Sequence, residues 1–584
     1  MIVLGLNEGH NASASLAVDG EIITAAQEER FTRVKNQPGL PLKSIKFCLD
    51  FAKIDPTEID LVVFTGTIPN YITNLKKVGL EESFYLKSAK FGHHYFRTLM
   101  LQTEYHFPQT RGIDKLTIDP VIKIAQKIFF PKTAAILEKE MGIPKEKHVY
   151  LDHHTAHAYS GLYSSPFHQE NKGALVITCD AGGDGNSSTI SAYKDGKLKR
   201  LISAPDTDSL GVLYGVITDI LGMKPLEHEY KVMGLAPYAE EHGTKIVYEF
   251  LKTVIRLNRK TLAWETVVTS DNLNRYVREH LPKCRFDHIA GAIQKLTEEL
   301  LCQWISLAID RFKIRNIVFS GGVAQNVKAN QKIAALKSVK EFFAMPSAGD
   351  ESNAIGAAYW GSKKIDKRTK LKPVKNFYLG PEYGTDQIEN VLKRKNRKYK
   401  VEKIRDPQSK IAQMLALGKI VARFSGRTEF GARALGNRSI LADPTLPQVT
   451  DTINRQIKSR DFWMPFAPTI LKEDEKKYLV NPKNVESPYM TIAFDTKSKS
   501  RDDIKGAIHP FDYTCRPQLL KENDNLTYYK LLQNFKKLTG RGAILNTSFN
   551  LHGDPIVNSP EDALYTFGKS QLQYLMLENF LISK

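Results

Sequence analysis

One local pattern occurs twice in this chain, and it restricts the fold more than any other feature. The apolar run IVLGL leads into the turn NEGHNAS, then a second run ASLAV, an Asp19-Gly20 pair and a third run EIITAA. The order returns as ALVITCD, AGGDGNSS, TISAY, Asp195-Gly196 and LKRLISA, with offsets of 173 residues from Asn7 to Asp180 and 176 from Asp19 to Asp195. Asp-Gly between alternating apolar runs signals a tight β-hairpin, because both residues tolerate positive φ. A strand-turn-strand-hairpin unit met twice predicts a duplicated α/β fold whose halves enclose a cleft. The halves are expected over residues 1–170 and 171–365.

The turns of these units carry chemistry. In AGGDG, Gly182, Gly183 and Gly185 lack a Cβ, so backbone N–H groups can approach phosphate oxygens, while Asp184 could hold a metal or its water. A plain glycine-rich turn explains the same residues. The segment NIVFSGGVAQN reads as a strand ending at Gly321-Gly322 and entering a helix, a geometry that accepts anions at the helix N-terminus. An ordinary strand-to-helix turn is equally compatible. In LDHHTAHAYSGLY, His153 and His157 stand at i and i+4, which on a helix directs both imidazoles to one face, with His154 elsewhere. Asp350, in PSAGDESNA, is a candidate third metal ligand. The alternative is a pair of histidines satisfied by hydrogen bonds.

At 584 residues the chain exceeds a single core and predicts several units. No apolar run approaches the ~18 residues of a membrane helix, and residues 1–20 lack the basic start of a secretory signal. The five cysteines show no C-x-x-C spacing, which argues against a disulfide framework or a cysteine zinc site. These features together predict a cytoplasmic protein without a membrane partner. The net charge of +19 admits nucleic acid or phosphorylated substrates as partners. A net +10 of it falls between Lys363 and Arg405. There the run KKIDKRTKLKPVK reads as a linker over 366–380, or as a nucleic-acid arm, and sets a boundary near residue 365. The aromatic and basic segment from Tyr71 to Phe130 reads as an acceptor-shaping insertion or as a helical pair packed on the core.

Taken together, LGLNEGHNAS, EERFTRVKNQPGLP, DHHTAHAYSG, CDAGGDG, EHEYKVMGLAPYA, FSGGVAQN, PSAGDESNAIGAA, TEFGARALGNRSILADP, FWMPFAP and LNTSFNLHGDPIV resemble the O-carbamoyltransferases that act on antibiotics and nodulation factors. The resemblance runs nearly end to end. It implies an α/β protein with a duplicated actin-like ATPase fold over 1–365, similar to threonylcarbamoyl-transferases, and an α+β YrdC-like domain over 381–584. It implies that carbamoyl phosphate and ATP form a carbamoyl-adenylate, whose carbamoyl group passes to a hydroxyl of a small-molecule or sugar acceptor. Residue by residue, it assigns a divalent metal to His153, His157 and Asp350, iron by the family's better-known members, with manganese or magnesium as alternatives. ATP and the adenylate fall to Asp180, Gly182, Gly183, Gly321, Gly322 and Asn326. Carbamoyl phosphate falls to Lys35, Arg433, Lys458, Arg460, Arg516 and Asn546; polyanions favour arginine for its bidentate geometry. His10 matches the general base, and Glu8 a contact to the acceptor. Met464 departs from an arginine common in relatives, so an anion contact is absent there or comes from Arg460. Because carbamate and its adenylate hydrolyse readily, a continuous buried surface is expected between residues 1–365 and 380–584. Relatives extend the expectation of a homodimer. Competing readings are a tRNA-modifying threonylcarbamoyl-transferase and a non-catalytic nucleic-acid-binding protein, with nucleic acid the minority partner.

Overall fold

The computed structural model describes residues 1–67, 102–105, 131–170, 172–395, 399–458 and 461–584. The expected insertion over 71–130 therefore lies, apart from residues 102–105, outside the described residues. The chain divides into two compact units that are not contiguous in sequence. The first comprises Met1–Glu28, Gln37–Gln325 and Leu336–Val374; the second comprises Glu29–Asn36, Asn326–Ala335 and Lys375–Lys584.

In the first unit, β1 (Ile2–Asn7), β2 (Ser13–Val18), β3 (Glu21–Gln27), β4 (Leu61–Thr65) and β5 (His148–Leu151) form a sheet in the order β3-β2-β1-β4-β5. β1 runs antiparallel to β2, with Ile2 opposite Val18 and Asn7 opposite Ser13, and parallel to β4. A second sheet repeats this plan with β6 (Ala174–Gly183), β7 (Asn186–Lys194), β8 (Lys197–Pro205), β9 (Asn316–Ser320) and β10 (Glu341–Ala344), in the order β8-β7-β6-β9-β10. Again the first two pairings are antiparallel and the last two parallel. The duplicated α/β plan read from the repeat is present. Both hairpins turn on left-handed residues: φ is 48° and 76° at Asp19-Gly20, and 50° and 73° at Asp195-Gly196.

The central strands are apolar almost throughout because both faces are covered. Val3, Leu4 and Leu6 of β1 and Ile317, Val318 and Phe319 of β9 are all fully buried. Each half then places a helix after its fifth strand: α1 (His153–Ser164) after β5 and α2 (Asn353–Ile365) after β10. The Asp152 side chain caps α1 by accepting the Thr155 N–H at 2.8 Å. The small residues of α2 let it lie directly on α1; a Cβ at Gly356 would stand 1.9 Å from the Ala156 carbonyl oxygen.

The basic stretch after α2 is held through backbone and side chain. The Lys372 N–H donates to the Gly20 carbonyl at 2.9 Å, its Nζ pairs with Glu21 at 2.7 Å, and its carbonyl accepts the Tyr359 hydroxyl at 2.7 Å, all within the first unit. From Lys375 the chain belongs to the second unit, where the Gly380 N–H donates to Thr428 at 3.0 Å.

The second unit is built on a mixed eight-stranded sheet. Its order is Lys400–Lys403, Phe580–Ser583, Tyr574–Leu577, Val421–Phe424, Arg438–Ala442, Ala543–Ser548, Ala467–Leu471 and Gln518–Leu520. On one face pack Ile411 and Leu415 of helix Pro407–Ala416 with Leu531 and Phe535 of helix Leu526–Thr539. On the other pack Ile388 and Leu392 of helix Thr385–Lys395 with Ala563 and Phe567 of helix Pro560–Lys569. Two segments from the amino-terminal part of the chain complete this unit. Arg33 donates to the Ile556 and Pro555 carbonyls at 2.6 and 2.7 Å, and Asn330 donates to the Thr491 carbonyl at 2.9 Å. Among the described residues no helix is long and apolar enough to cross a membrane, and no disulfide joins any of the five cysteines.

Candidate metal centre and anion loop

The helical phase expected for His153 and His157 brings their Nε2 atoms within 3.1 Å of each other. Asp350, at the start of the short turn before α2, brings Oδ1 to 3.5 Å from His153 and 3.3 Å from His157. A fourth group joins them: Asp180 Oδ2 lies 3.2 Å from His157 Nε2. One ligand atom from each of the four residues can be chosen so that all lie within 4.8 Å of one another. His154 turns away, its ring nitrogens engaged by Thr178 Oγ1 at 2.8 Å and the Asn186 carbonyl at 2.9 Å.

The local folding that builds this cluster is explicit. The register of β6 against β7 slips between Cys179 and Gly183, and Asp180 sits in that irregularity. The Gly322 N–H then donates to Asp180 Oδ2 at 2.8 Å. Gly321 takes a φ of 88°, and a Cβ there would approach the Cys179 carbonyl oxygen to 2.4 Å. Gly183 makes room for the His153 ring, which a Cβ would meet at 2.4 Å. Asp184 accepts the N–H groups of Thr67 and His153 at 2.8 and 2.7 Å, tying the start of α1 to the β6–β7 turn. The glycine-rich turn thus shapes the cluster directly. Gly182, next to it, is exposed.

Electrostatics agree with a shared cation. Burial alone would drive the His157 imidazole down, but hydrogen bonds and charge from Asp180 and Asp350 outweigh it and raise it to about 9. Burial would raise Asp180, yet His157, His153 and the Gly322 N–H hold its carboxyl well below the usual range. Two carboxylates and two imidazoles with converging lone pairs are the donor set of a divalent metal of the first transition row. His157 Nδ1 has no hydrogen-bond partner among the described residues, so its Nε2 carries the ring's polar contacts. The residues present fit a divalent metal.

At the first turn of the first half, Glu8 is buried and its Oε2 has no hydrogen-bond partner among the described residues. Burial pushes its carboxyl up to about 7. His10 is half-buried, and its carbonyl accepts the Asn7 side-chain N–H at 2.9 Å. Glu229, at the start of helix Glu229–Leu235, is raised by burial; its own N–H and that of Leu226, with the field of His10, oppose the rise. Glu229, half-buried, thus lies in the field of His10, a neighbour that the sequence motif EHEYKVMG carried without revealing.

Other expected residues fall in the second unit. Asn326 accepts the Ala329 N–H at 3.0 Å, capping helix Val327–Ala335. Lys35 is half-buried in the segment Glu29–Asn36. Arg433 and Arg516 are half-buried, whereas Asn546 is 2% exposed. The Asn546 side chain donates to the Ala434 carbonyl at 3.2 Å, and the Gln518 side chain donates to the Leu435 carbonyl at 3.1 Å. The loop bearing Arg433 is thereby bound to the strand that follows Arg516. Met464 is buried. Arg460 and the side chain of Lys458 lie outside the described residues.

Family models described as carbamoyltransferase N-terminus and carbamoyltransferase C-terminus match residues 2–359 and 412–584. An uncharacterized protein of Methanocaldococcus jannaschii is 34% identical, with 100% of each chain covered. Nodulation protein NolNO of Sinorhizobium fredii is 29% identical over 98% of this chain and 79% of its own. Nodulation protein U of Rhizobium tropici is 30% identical over 46% of this chain and 44% of its own. Among solved structures, the HypF protein of T. kodakarensis aligns with a TM-score of 0.33 and 12% identity, covering 63% of this chain and 48% of that one.

Proposed function

This chain belongs to the carbamoyltransferase family, and from that premise we propose that it is an ATP-dependent O-carbamoyltransferase acting on a hydroxyl of a small-molecule or sugar acceptor. Water cleaves carbamoyl phosphate to carbamate and phosphate; a carbamate oxygen then bonds to the α-phosphorus of ATP, the bond from that phosphorus to the β-phosphate oxygen breaks, and pyrophosphate leaves behind a carbamoyl-adenylate. The acceptor oxygen then bonds to the carbamoyl carbon, the bond from that carbon to the AMP oxygen breaks, and AMP leaves. The observation that carries this reading is the convergence of His153, His157, Asp180 and Asp350 at one point of the duplicated unit.

These four residues would hold a divalent metal, for which iron is our proposal. A bound metal supplies positive charge that neutralises phosphate oxygens. The chain's own groups account for the rest. Asp184 and Gly183 fix where His153 stands. His10 takes the proton from the acceptor hydroxyl as its oxygen attacks, a role suited to an imidazole. Glu8, whose carboxyl burial raises to about 7, is partly protonated near neutrality and in that form can donate a hydrogen bond to an acceptor oxygen. In the second unit Arg433 and Arg516 receive the phosphate of carbamoyl phosphate.

The test is nucleotide turnover. Purified, metal-loaded protein given ATP and carbamoyl phosphate is expected to release pyrophosphate only when both are present, and His153→Ala should abolish it. Pyrophosphate release independent of carbamoyl phosphate, or none at all, would overturn the reading.

A further inference from the structure

Between the strands Val421–Phe424 and Arg438–Ala442 the chain makes a loop whose backbone is held almost group by group by buried side chains. Glu429, 2% exposed, sets one carboxylate oxygen against three N–H groups, those of Leu435 at 2.8 Å, Asn437 at 2.8 Å and Arg438 at 3.1 Å. The carbonyls are taken in turn. Arg30 donates to Gly431 at 2.6 Å, Asn546 to Ala434 at 3.2 Å, the Tyr378 hydroxyl to Leu435 at 2.7 Å, and Arg423 to Gly436 at 2.5 Å. Arg423 and Arg30 are themselves 2% and 3% exposed, and Arg30 is paired with Glu29 at 3.0 Å. Within residues 428–441 only Ala432 and Arg433 are not buried.

Burying charged groups this deeply costs free energy that their hydrogen bonds must offset. Here two guanidinium groups and a carboxylate are committed to the shape of one short loop. That loop offers solvent a single cation. Ordering a comparable loop on binding would cost conformational entropy, so holding it in advance favours the bound state.

We propose that Glu429 and Arg30 are positioning residues that hold the Gly431–Gly436 loop in a prebuilt shape and so present Arg433 to the phosphate of carbamoyl phosphate. The inference rests on the reading of the second unit as the carbamoyl phosphate site. Arg30 reaches this loop from the segment Glu29–Asn36, which the chain contributes to the second unit from far upstream.

The test uses the full chain. Carbamoyl phosphate is titrated calorimetrically into wild type, Arg433→Ala, Glu429→Ala, Glu429→Gln, Arg30→Ala and Arg30→Lys, and its KM and kcat are measured alongside the KM for ATP. Glu429→Ala removes three hydrogen bonds to a charged group and Arg30→Ala removes one, which predicts at least ~10-fold weaker binding for each. The KM for carbamoyl phosphate should rise by the same factor while the KM for ATP stays. Glu429→Gln and Arg30→Lys, which keep an acceptor and a donor, should recover most of the loss. If Glu429→Ala does not fold, the two Arg30 variants decide. Weak binding in Arg433→Ala with wild-type affinity and KM in Arg30→Ala would overturn the positioning role. A lower kcat with both KM values unchanged would do the same. Wild-type affinity in Arg433→Ala would instead overturn the assignment of carbamoyl phosphate to this unit, and the proposal with it.

Discussion

Asp180 and Glu8 are both buried carboxyls, and their surroundings drive them in opposite directions. Asp180 faces two imidazoles and a backbone N–H and is kept ionised; Glu8 faces nothing that offsets burial and is raised to about 7. Asp180→Asn should therefore weaken divalent metal binding by at least ~10-fold, the loss typical of removing one anchoring group. Competitive titration against a chelator of known affinity measures it; unchanged affinity would remove Asp180 from the ligand set. For Glu8 the sign follows from linkage. The unfolded chain releases this proton near 4.5 and the folded chain near 7, so its stabilising contribution is complete below 4.5 and is lost as pH rises through 7. The difference amounts to about 3 kcal/mol. Glu8→Gln should flatten that part of the thermal unfolding profile between pH 4.5 and 8, and an unaltered slope would contradict the assignment.

The elements that carry the cluster meet through contacts that leave no space. Gly356→Ala would set a methyl 1.9 Å from the Ala156 carbonyl in the next helix, and overpacking of this kind costs about 1–3 kcal/mol or more. A lower unfolding midpoint is expected, together with reduced metal occupancy, because α1 carries His153 and His157; a variant with wild-type midpoint and occupancy would show that the helices can part without consequence. This scale also separates what was legible in the sequence from what was not. The Asp-Gly hairpins and the i, i+4 histidines are local, and local spacing predicts them. The resemblance assigns Asp180 to the nucleotide, whereas its place in the cluster depends on a slip in strand register, which no local pattern encodes. Gly183 has the same history: its reason for being glycine is a histidine ring 30 residues earlier in the chain. Asn546 carries three buried hydrogen bonds to groups on two other loops and strands, again a long-range relation.

For the whole molecule, the repeat led to the duplicated first unit, and length led to more than one unit. Neither could reveal that Glu29–Asn36 and Asn326–Ala335 are built into the second unit. Arg30, Arg33 and Asn330 supply it with four hydrogen bonds that have no local signature, two of them from Arg33. A fragment of residues 375–584 should accordingly be much less stable than the same residues in the full chain, with poor dispersion in its amide NMR spectrum. A well-dispersed, cooperatively melting fragment would contradict this. The charge of +19 is partly absorbed in the same way, since Lys372 and Arg33 work as internal contacts. The most direct test of the central claim follows one carbon. With carbamoyl phosphate labelled with carbon-13, ATP and metal-loaded protein, the label should be found by mass spectrometry on AMP as carbamoyl-adenylate. Label that stays in carbamoyl phosphate, or leaves it without ever joining AMP, would contradict the account.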